Sequence, residues 1–171
     1  MSNLAAAGND IKKHIRTFTY MIGLIVAIVV FNILGYVFNK ELEKGQVAHV
    51  WCFTTAFLVV VDLYIDVKYH AYWYFTKGVD WASLPAALLL IPPVNIIFIN
   101  WYPWNSKITT YIKYFVKWEM VLLSYELITL LPKPWGYFHY GWWNLFYSAL
   151  LNPLLLLTLI TYYKHFIRKE D

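Results

Sequence analysis

The sequence predicts an all-α fold, a polytopic membrane bundle of five transmembrane helices. Of its 171 residues, 60% are hydrophobic and only 14% are charged, against about 25% charged residues in an ordinary soluble domain. Five apolar segments each approach the roughly 20 residues that a helix needs to cross the hydrocarbon layer. Because only helices and closed barrels satisfy their backbone in lipid, long runs without strand alternation favour helices.

The helices are predicted at about residues 17–38, 47–65, 84–102, 108–131 and 145–163, within one domain that fills residues 1–171. The first, TFTYMIGLIVAIVVFNILGYVF, follows Lys12, Lys13 and Arg16, as in a signal peptide. Its apolar run is longer than the usual 7 to 15 residues of such a peptide, and no small-x-small cleavage site follows it. We therefore expect an uncleaved membrane helix.

The third segment, LPAALLLIPPVNIIFIN, leaves two arrangements open because Pro92 and Pro93 lie in its middle. It forms either a kinked spanning helix or a re-entrant segment that leaves only four crossings. We take five crossings as the prediction and keep the re-entrant arrangement as the alternative.

Basic residues outside the apolar segments bear on that choice. With five crossings they divide six against six, with Lys12, Lys13, Arg16, Lys68, Lys77 and Lys133 opposite Lys40, Lys44, Lys107, Lys164, Arg168 and Lys169. With a re-entrant third segment the split is nine against three, since only Lys40, Lys44 and Lys133 then oppose the termini. Positive charge favours the cytoplasm, so the nine-against-three split would place both termini there, whereas the even split gives no direction. We expect a multipass protein of the cell membrane with a cytoplasmic N-terminus.

Aromatic and basic residues fit a lipid environment. Trp and Tyr concentrate at predicted helix ends in AYWYF, NWYPWNS and KPWGYFHYGWW, where their rings are stable between head groups and acyl chains.

The net charge of +4 is small and no basic stripe with stacking aromatics suggests nucleic acid. Cys52 is the only cysteine, which excludes an intrachain disulfide, and no cofactor is predicted. The expected partners are lipid, further copies of the chain or another membrane protein.

The stretch VDLYIDVKYHAYWYF places ionisable groups at the end of the second apolar segment. Asp62, Asp66 and His70 are four residues apart and would share a helix face. Asp62 lies inside the apolar run, where an unpaired carboxylate costs at least about 2.5 kcal/mol. Such a group must face protein, water or a cation.

Further polar groups lie in the third and fourth segments. Glu119 and Glu126, seven residues apart, would form an acidic face, and Asn95 and Asn100 add amide groups. The candidate ligand- or ion-binding residues are Asp62, Asp66, His70, Asn95, Asn100, Glu119 and Glu126. The rival interpretation is a structural polar network between helices, or solvated residues at the membrane boundary.

Signatures of catalysis and of metal binding are missing from the sequence. It contains no Walker loop, Rossmann fingerprint, GxSxG elbow or HExxH pair. An intramembrane lipid enzyme with Asp66 and His70 as base and acid is the weakest hypothesis, because nothing supplies a nucleophile. We therefore predict no enzymatic activity, and the sequence leaves open whether the carboxylates bind a metal.

Four stretches in roughly the C-terminal two thirds of the chain form a recognisable set: VDLYIDVKYH, PPVNIIFINWYP, SYELITL and WWNLFYSALLNP. Together they resemble a family of small multipass membrane proteins from Bacillus, Clostridium and related endospore-forming Firmicutes. The matching residues are Asp62, Asp66, Lys68, Tyr69, Pro92, Val94, Asn95, Phe98, Asn100, Pro103, Tyr125, Glu126, Trp143, Tyr147, Ser148, Ala149 and Pro153. The resemblance implies a location and an architecture, and it carries over no catalytic residue.

Two functions remain in view. The first is a small bacterial membrane protein with a polar, acidic pocket within the membrane that binds or passes a cation, a proton or a small polar ligand. The second is a structural or scaffolding membrane protein that acts through protein partners, with a link to sporulation suggested by the resemblance.

Overall fold

The structure is a computed structural model that describes residues 21–78 and 81–168. The described residues are mostly helical, in agreement with the predicted all-α class. The helices are α1 Met21–Phe38, α2 Lys44–Asp62, α3 Ile91–Asn100, α4 Ile108–Thr129 and α5 Leu145–Tyr162. Two short strands, β1 Tyr72–Trp73 and β2 His139–Tyr140, pair as an antiparallel ribbon.

Turns of π-helix account for most differences from the predicted bounds. They extend α2 over Leu63–Lys68, precede α3 over Ala86–Leu90 and extend α5 over Tyr163–Ile167. At its other end, α2 begins three residues earlier than predicted because Glu43 and Gln46 form a capping box. Residues 17–20 of the first predicted helix lie outside the described residues.

Three described helices are long and apolar enough to cross a membrane: Met21–Phe38, Lys44–Lys68 and Leu145–Ile167. The 22-residue α4 has sufficient length, but four charged residues lower its hydropathy. The apolar helix Ala86–Asn100 is shorter and spans only about 22 Å at 1.5 Å per residue.

Consecutive helices run in opposite directions between two ends of the bundle. At one end, the ribbon end, the two strands join the α2–α3 and α4–α5 loops, and Gly23 N donates to Pro134 O at 3.1 Å. At the other, the Asn100 end, Asn100 Nδ2 donates to Asn39 Oδ1 at 3.0 Å. The third segment therefore runs through the bundle and leaves it at the end opposite to its start.

The two prolines of the third segment do not divide it. Pro92 and Pro93 lie in the first turn of α3 and have no N–H to donate to the preceding π-helical turn. One carbonyl of that turn, Leu88 O, accepts from Trp51 Nε1 at 2.9 Å instead. The π-helical turn before them keeps the helix continuous. A Cβ added at Gly35 of α1 would lie 2.9 Å from Pro93 Cβ, so glycine allows α1 to pack closely here.

Helix α3 lies at the centre of the bundle. Its residues from Pro92 to Ile99 are buried except for Asn95, which is half-buried. Phe98 is fully buried and contacts the Trp118 ring edge to face, with centroids 5.4 Å apart. The Tyr114 hydroxyl of α4 donates to Phe98 O at 2.6 Å. Surrounding helices thus cover the segment that is too short to span alone.

Candidate functional site

The paired strands close the ribbon end of the bundle. Tyr72 lies opposite Tyr140, and Trp73 lies opposite His139. Beside the strands, Gly141 N and Trp143 N both donate to Ala71 O, at 2.8 and 3.0 Å. Since cross-strand neighbours project from the same face of a ribbon, Tyr72 and Tyr140 present their rings together towards the helices.

Each of the two opposed tyrosines binds a carboxylate from a different helix. The Tyr72 hydroxyl donates to Asp62 Oδ1 on α2 at 2.5 Å, and the Tyr140 hydroxyl donates to Glu126 Oε1 on α4. Burial raises the pKa of the Tyr72 hydroxyl well above its usual range. Burial also raises the pKa of Tyr140, with Glu126 adding to the effect. Both hydroxyls therefore remain protonated donors.

A second set of donors holds Glu126 from α5. Ser148 Oγ donates to Glu126 Oε1 at 2.6 Å, and Trp143 Nε1 donates to Ser148 Oγ at 2.8 Å. Ser148 is buried and lies in the first turn of α5, which Asn144 caps by accepting from Phe146 N. The helix start and the indole together fix the carboxylate in one orientation.

Glu126 lies on the wall of a cavity of about 240 Å³ beneath the ribbon. Helices α2, α3, α4 and α5 and both ribbon-end loops contribute to this wall. Most of the lining is aliphatic or aromatic, including Phe53, Phe57, Leu58, Val61, Tyr72, Tyr74, Leu90, Val94, Trp118, Leu122, Tyr125, Tyr137, Phe138, Trp143, Leu151, Leu155 and Leu159. The cavity is thus an apolar space with isolated polar groups.

The other polar groups on this wall are engaged with protein. Asn95 Nδ2 donates to Thr54 Oγ1 at 2.9 Å, which joins α3 to α2. Asn152 Nδ2 donates to Glu119 Oε1 at 3.1 Å, which joins α5 to α4. These side chains stabilise helix packing as they line the cavity.

The predicted site residues separate into two groups. Glu126 and Asn95 line the cavity, and Asp62 and Glu119 each contact one of its lining residues through the hydrogen bonds to Tyr72 and Asn152. One oxygen of Glu119, Oε2, is buried and has no hydrogen-bond partner among the described residues.

Three predicted residues lie away from this cavity wall. Asp66 is buried in the π-helical turn after α2, and His70 is exposed beyond that turn with φ of 50°. Asn100 Oδ1 accepts from Lys40 N and Glu41 N at the opposite end of the bundle, where it caps the α1–α2 turn. Within the described ranges, no group of three or more His, Cys, Asp and Glu side chains could hold a metal ion.

The donors that the sequence did not predict are Tyr72, Tyr140, Ser148 and Trp143. A signal for two of them exists, because Tyr72 and Tyr74, like Phe138 and Tyr140, alternate with period two in loops between helices. Two such aromatic stretches could have suggested a pair of short strands. Ser148 follows a capping Asn by four residues and gives no comparable signal.

No protein-family model matches the chain, and no curated protein or solved structure matches it.

Proposed function

We propose that this protein is a multipass protein of the bacterial cell membrane that binds a small molecule with an apolar body in the cavity beneath the ribbon. The cavity carries the proposal: about 240 Å³ of mostly carbon-lined space with the oriented carboxylate of Glu126 on its wall. The resemblance to a membrane protein family of endospore-forming Firmicutes suggests the cellular setting.

The outer surface of the bundle supports five crossings of the bilayer. Large apolar side chains are exposed along α1, α2, α4 and α5, for example Ile33, Val60, Val116 and Leu154 at 57, 53, 54 and 58%. So many exposed apolar side chains are unfavourable in water and favourable against lipid. The direction of α3 through the bundle agrees with five crossings, and we propose that the N-terminus is cytoplasmic.

The lining favours an apolar ligand body over a bare cation or a proton path. A cation that gives up its water on binding needs several oxygen ligands from the protein, whereas the wall offers one carboxylate and amides that already bind protein. An engineered cavity of 150 Å³ holds benzene, so about 240 Å³ suits a body of roughly ten heavy atoms by simple proportion.

The experiment fills the cavity without altering its charge. Leu122→Trp places a bulkier indole on the cavity wall. Leu127→Trp makes the same change on the exposed side of the same helix, where Leu127 is 51% exposed. Detergent-solubilised protein is heated with and without 2-phenylethanol. The alcohol should raise the melting temperature of the wild type and of L127W, and leave that of L122W unchanged.

Two results would contradict the proposal. Either 2-phenylethanol fails to stabilise the wild type and L127W at any concentration below micellar disruption, or L122W gains as much stability as they do. Membrane insertion is tested separately by alkaline extraction, from which the protein should remain in the membrane pellet.

A scaffolding role is the second candidate, and exposed aromatic side chains at the ribbon end favour it. Trp81, Trp135 and Trp142 are 80, 53 and 54% exposed, and Trp is enriched where proteins bind one another. Crosslinking from these positions in native membranes should then yield one defined partner or a homo-oligomer. If these positions crosslink only to lipid, the scaffolding role is contradicted, and the three Trp side chains lie at the membrane–water interface.

A further inference from the structure

A single formal charge lies among the described residues of the cavity wall. Of these residues, Glu126 is the only charged one, and none is a Lys, Arg or His. A carboxylate beside carbon-lined space is costly unless a proton or a counter-charge accompanies it. Tyr140 and Ser148 are neutral donors and reduce this cost without balancing the charge.

The donors leave one side of the carboxylate available. Both hydrogen bonds that described residues make to it end on Oε1. The Trp143 indole holds Ser148 at 2.8 Å, so the hydroxyl that reaches Oε1 is itself fixed. The second oxygen, Oε2, can therefore receive a group from the cavity while Oε1 stays bound.

Aromatic rings gather at the same end of the cavity. Phe138 lies 5.0 Å from Tyr72 and 5.4 Å from Tyr74 between ring centroids, and Trp143 lies 5.6 Å from Tyr72. All four rings line the cavity. The faces of aromatic rings carry partial negative charge and attract cations within about 6 Å, and ammonium groups are recognised in this way.

We infer that the ligand is a monocationic amphiphile, an amine whose ammonium group binds Glu126 and whose apolar body fills the carbon-lined part of the cavity. This inference depends on the proposed function and names the chemical class of its ligand. Glu126 supplies the counter-charge, and the loop aromatics supply cation–π contacts. The apolar body contacts side chains of α2, α4 and α5 such as Phe57, Leu122 and Leu155.

The test uses three probes of nearly equal shape and different charge: 2-phenylethylamine, 2-phenylethanol and phenylacetate. Trp118 and Trp143 line the cavity, so tryptophan emission in detergent micelles reports occupancy. The wild type should bind the amine at least about tenfold more tightly than the alcohol, since tenfold corresponds to one modest ionic contact. It should bind phenylacetate more weakly than the alcohol.

Two variants assign the preference to a residue. Glu126→Gln removes the charge and keeps the side-chain shape, so the amine and the alcohol should bind with equal affinity. Glu41→Gln removes the same charge from an exposed position at the Asn100 end, and the tenfold preference should remain. Leu122→Trp, whose cavity is filled, is titrated in parallel. Its change in emission measures the partition of each probe into micelles and is subtracted.

The outcomes separate the inference from the proposed function. If the wild type binds amine and alcohol equally, the cationic ligand is excluded and the cavity remains a binding site. If no probe binds, the proposed function itself fails. If E126Q keeps the preference for the amine, Glu126 is not the counter-charge. If E126Q fails to fold, the affinities of the wild type for the three probes still test the inference. Phenylacetate that binds as tightly as the amine would overturn it.

Discussion

The close approach of the two ribbon-end loops makes a stability prediction for Gly141→Ala. A Cβ added at Gly141 would lie 2.5 Å from His70 O and 2.9 Å from Ala71 O, and both are backbone atoms that cannot rotate away. The α4–α5 loop must move outward. The hydrogen bonds from Gly141 N and Trp143 N to Ala71 O, at 2.8 and 3.0 Å, then lengthen or break.

The size of the effect follows from those two hydrogen bonds. Each contributes about 1 kcal/mol net to stability, so Gly141→Ala should lower the free energy of unfolding by about 2 kcal/mol. Gly45→Ala is the matched control, because no described atom outside its chain neighbours and its own helix backbone lies within 4 Å of its added Cβ. Since Gly45 lies in α2, alanine there should raise stability by up to about 1 kcal/mol.

The assay is reversible unfolding in mixed micelles by titration with dodecyl sulfate, followed by tryptophan emission. G141A should unfold at a lower mole fraction of dodecyl sulfate than the wild type, and G45A at an equal or higher one. If G141A unfolds together with the wild type, the loops do not approach as closely as described, and the closed ribbon end is refuted.

Three further predictions use the same assay. Ser148→Ala removes a donor to Glu126 and should lower the free energy of unfolding by about 1 to 3 kcal/mol. Tyr72→Phe removes the hydroxyl that binds Asp62 and should cost a similar amount. Burial lowers the pKa of His139 from its usual 6.5, so below about pH 6.5 the unfolded chain binds more protons than the folded one. Stability should therefore fall as the pH drops through this range, and His139→Gln should flatten the slope.

Exposed residues of the same types provide the controls. Ser124→Ala, Tyr36→Phe and His49→Gln change side chains that lie on the outer surface, and each should leave stability within about 0.5 kcal/mol of the wild type. If a site variant and its control lose equal stability, the loss comes from the type of substitution and not from the contacts of the site. If the stability of H139Q still falls with decreasing pH as steeply as that of the wild type, another group binds the proton on unfolding.

Hydropathy was sufficient to locate the helices because long apolar segments are read directly from the sequence. It was less successful at helix ends. The π-helical turn Leu63–Lys68 carries α2 past its predicted end at residue 65, and Ala86–Leu90 precedes Pro92 without a break. A change from α to π hydrogen bonding alters neither length nor composition, so no hydropathy scan registers it.

The candidate site was only partly predictable for a different reason. A carboxylate in an apolar run demands a partner, and this physical requirement directed attention to Asp62 and Glu126. The identity of each partner depends on tertiary structure, because Tyr72 and Tyr140 come from loops that meet only in the folded bundle. His70 shows the limit of helical spacing, since the helix ends at Lys68 before His70 can share a face with Asp62.

Asp62 and Glu126 lie on different helices and are nevertheless coupled through the ribbon. Their donors, Tyr72 and Tyr140, are a directly opposed pair, so a shift of one strand moves both hydroxyls. A ligand that binds Glu126 would act on a carboxylate that Tyr140 already holds, and we expect a displacement of that hydroxyl to move the opposed Tyr72 as well. The double variant Y72F/Y140F should therefore lose less stability than the sum of its single variants, because the first substitution already loosens the element on which the second acts.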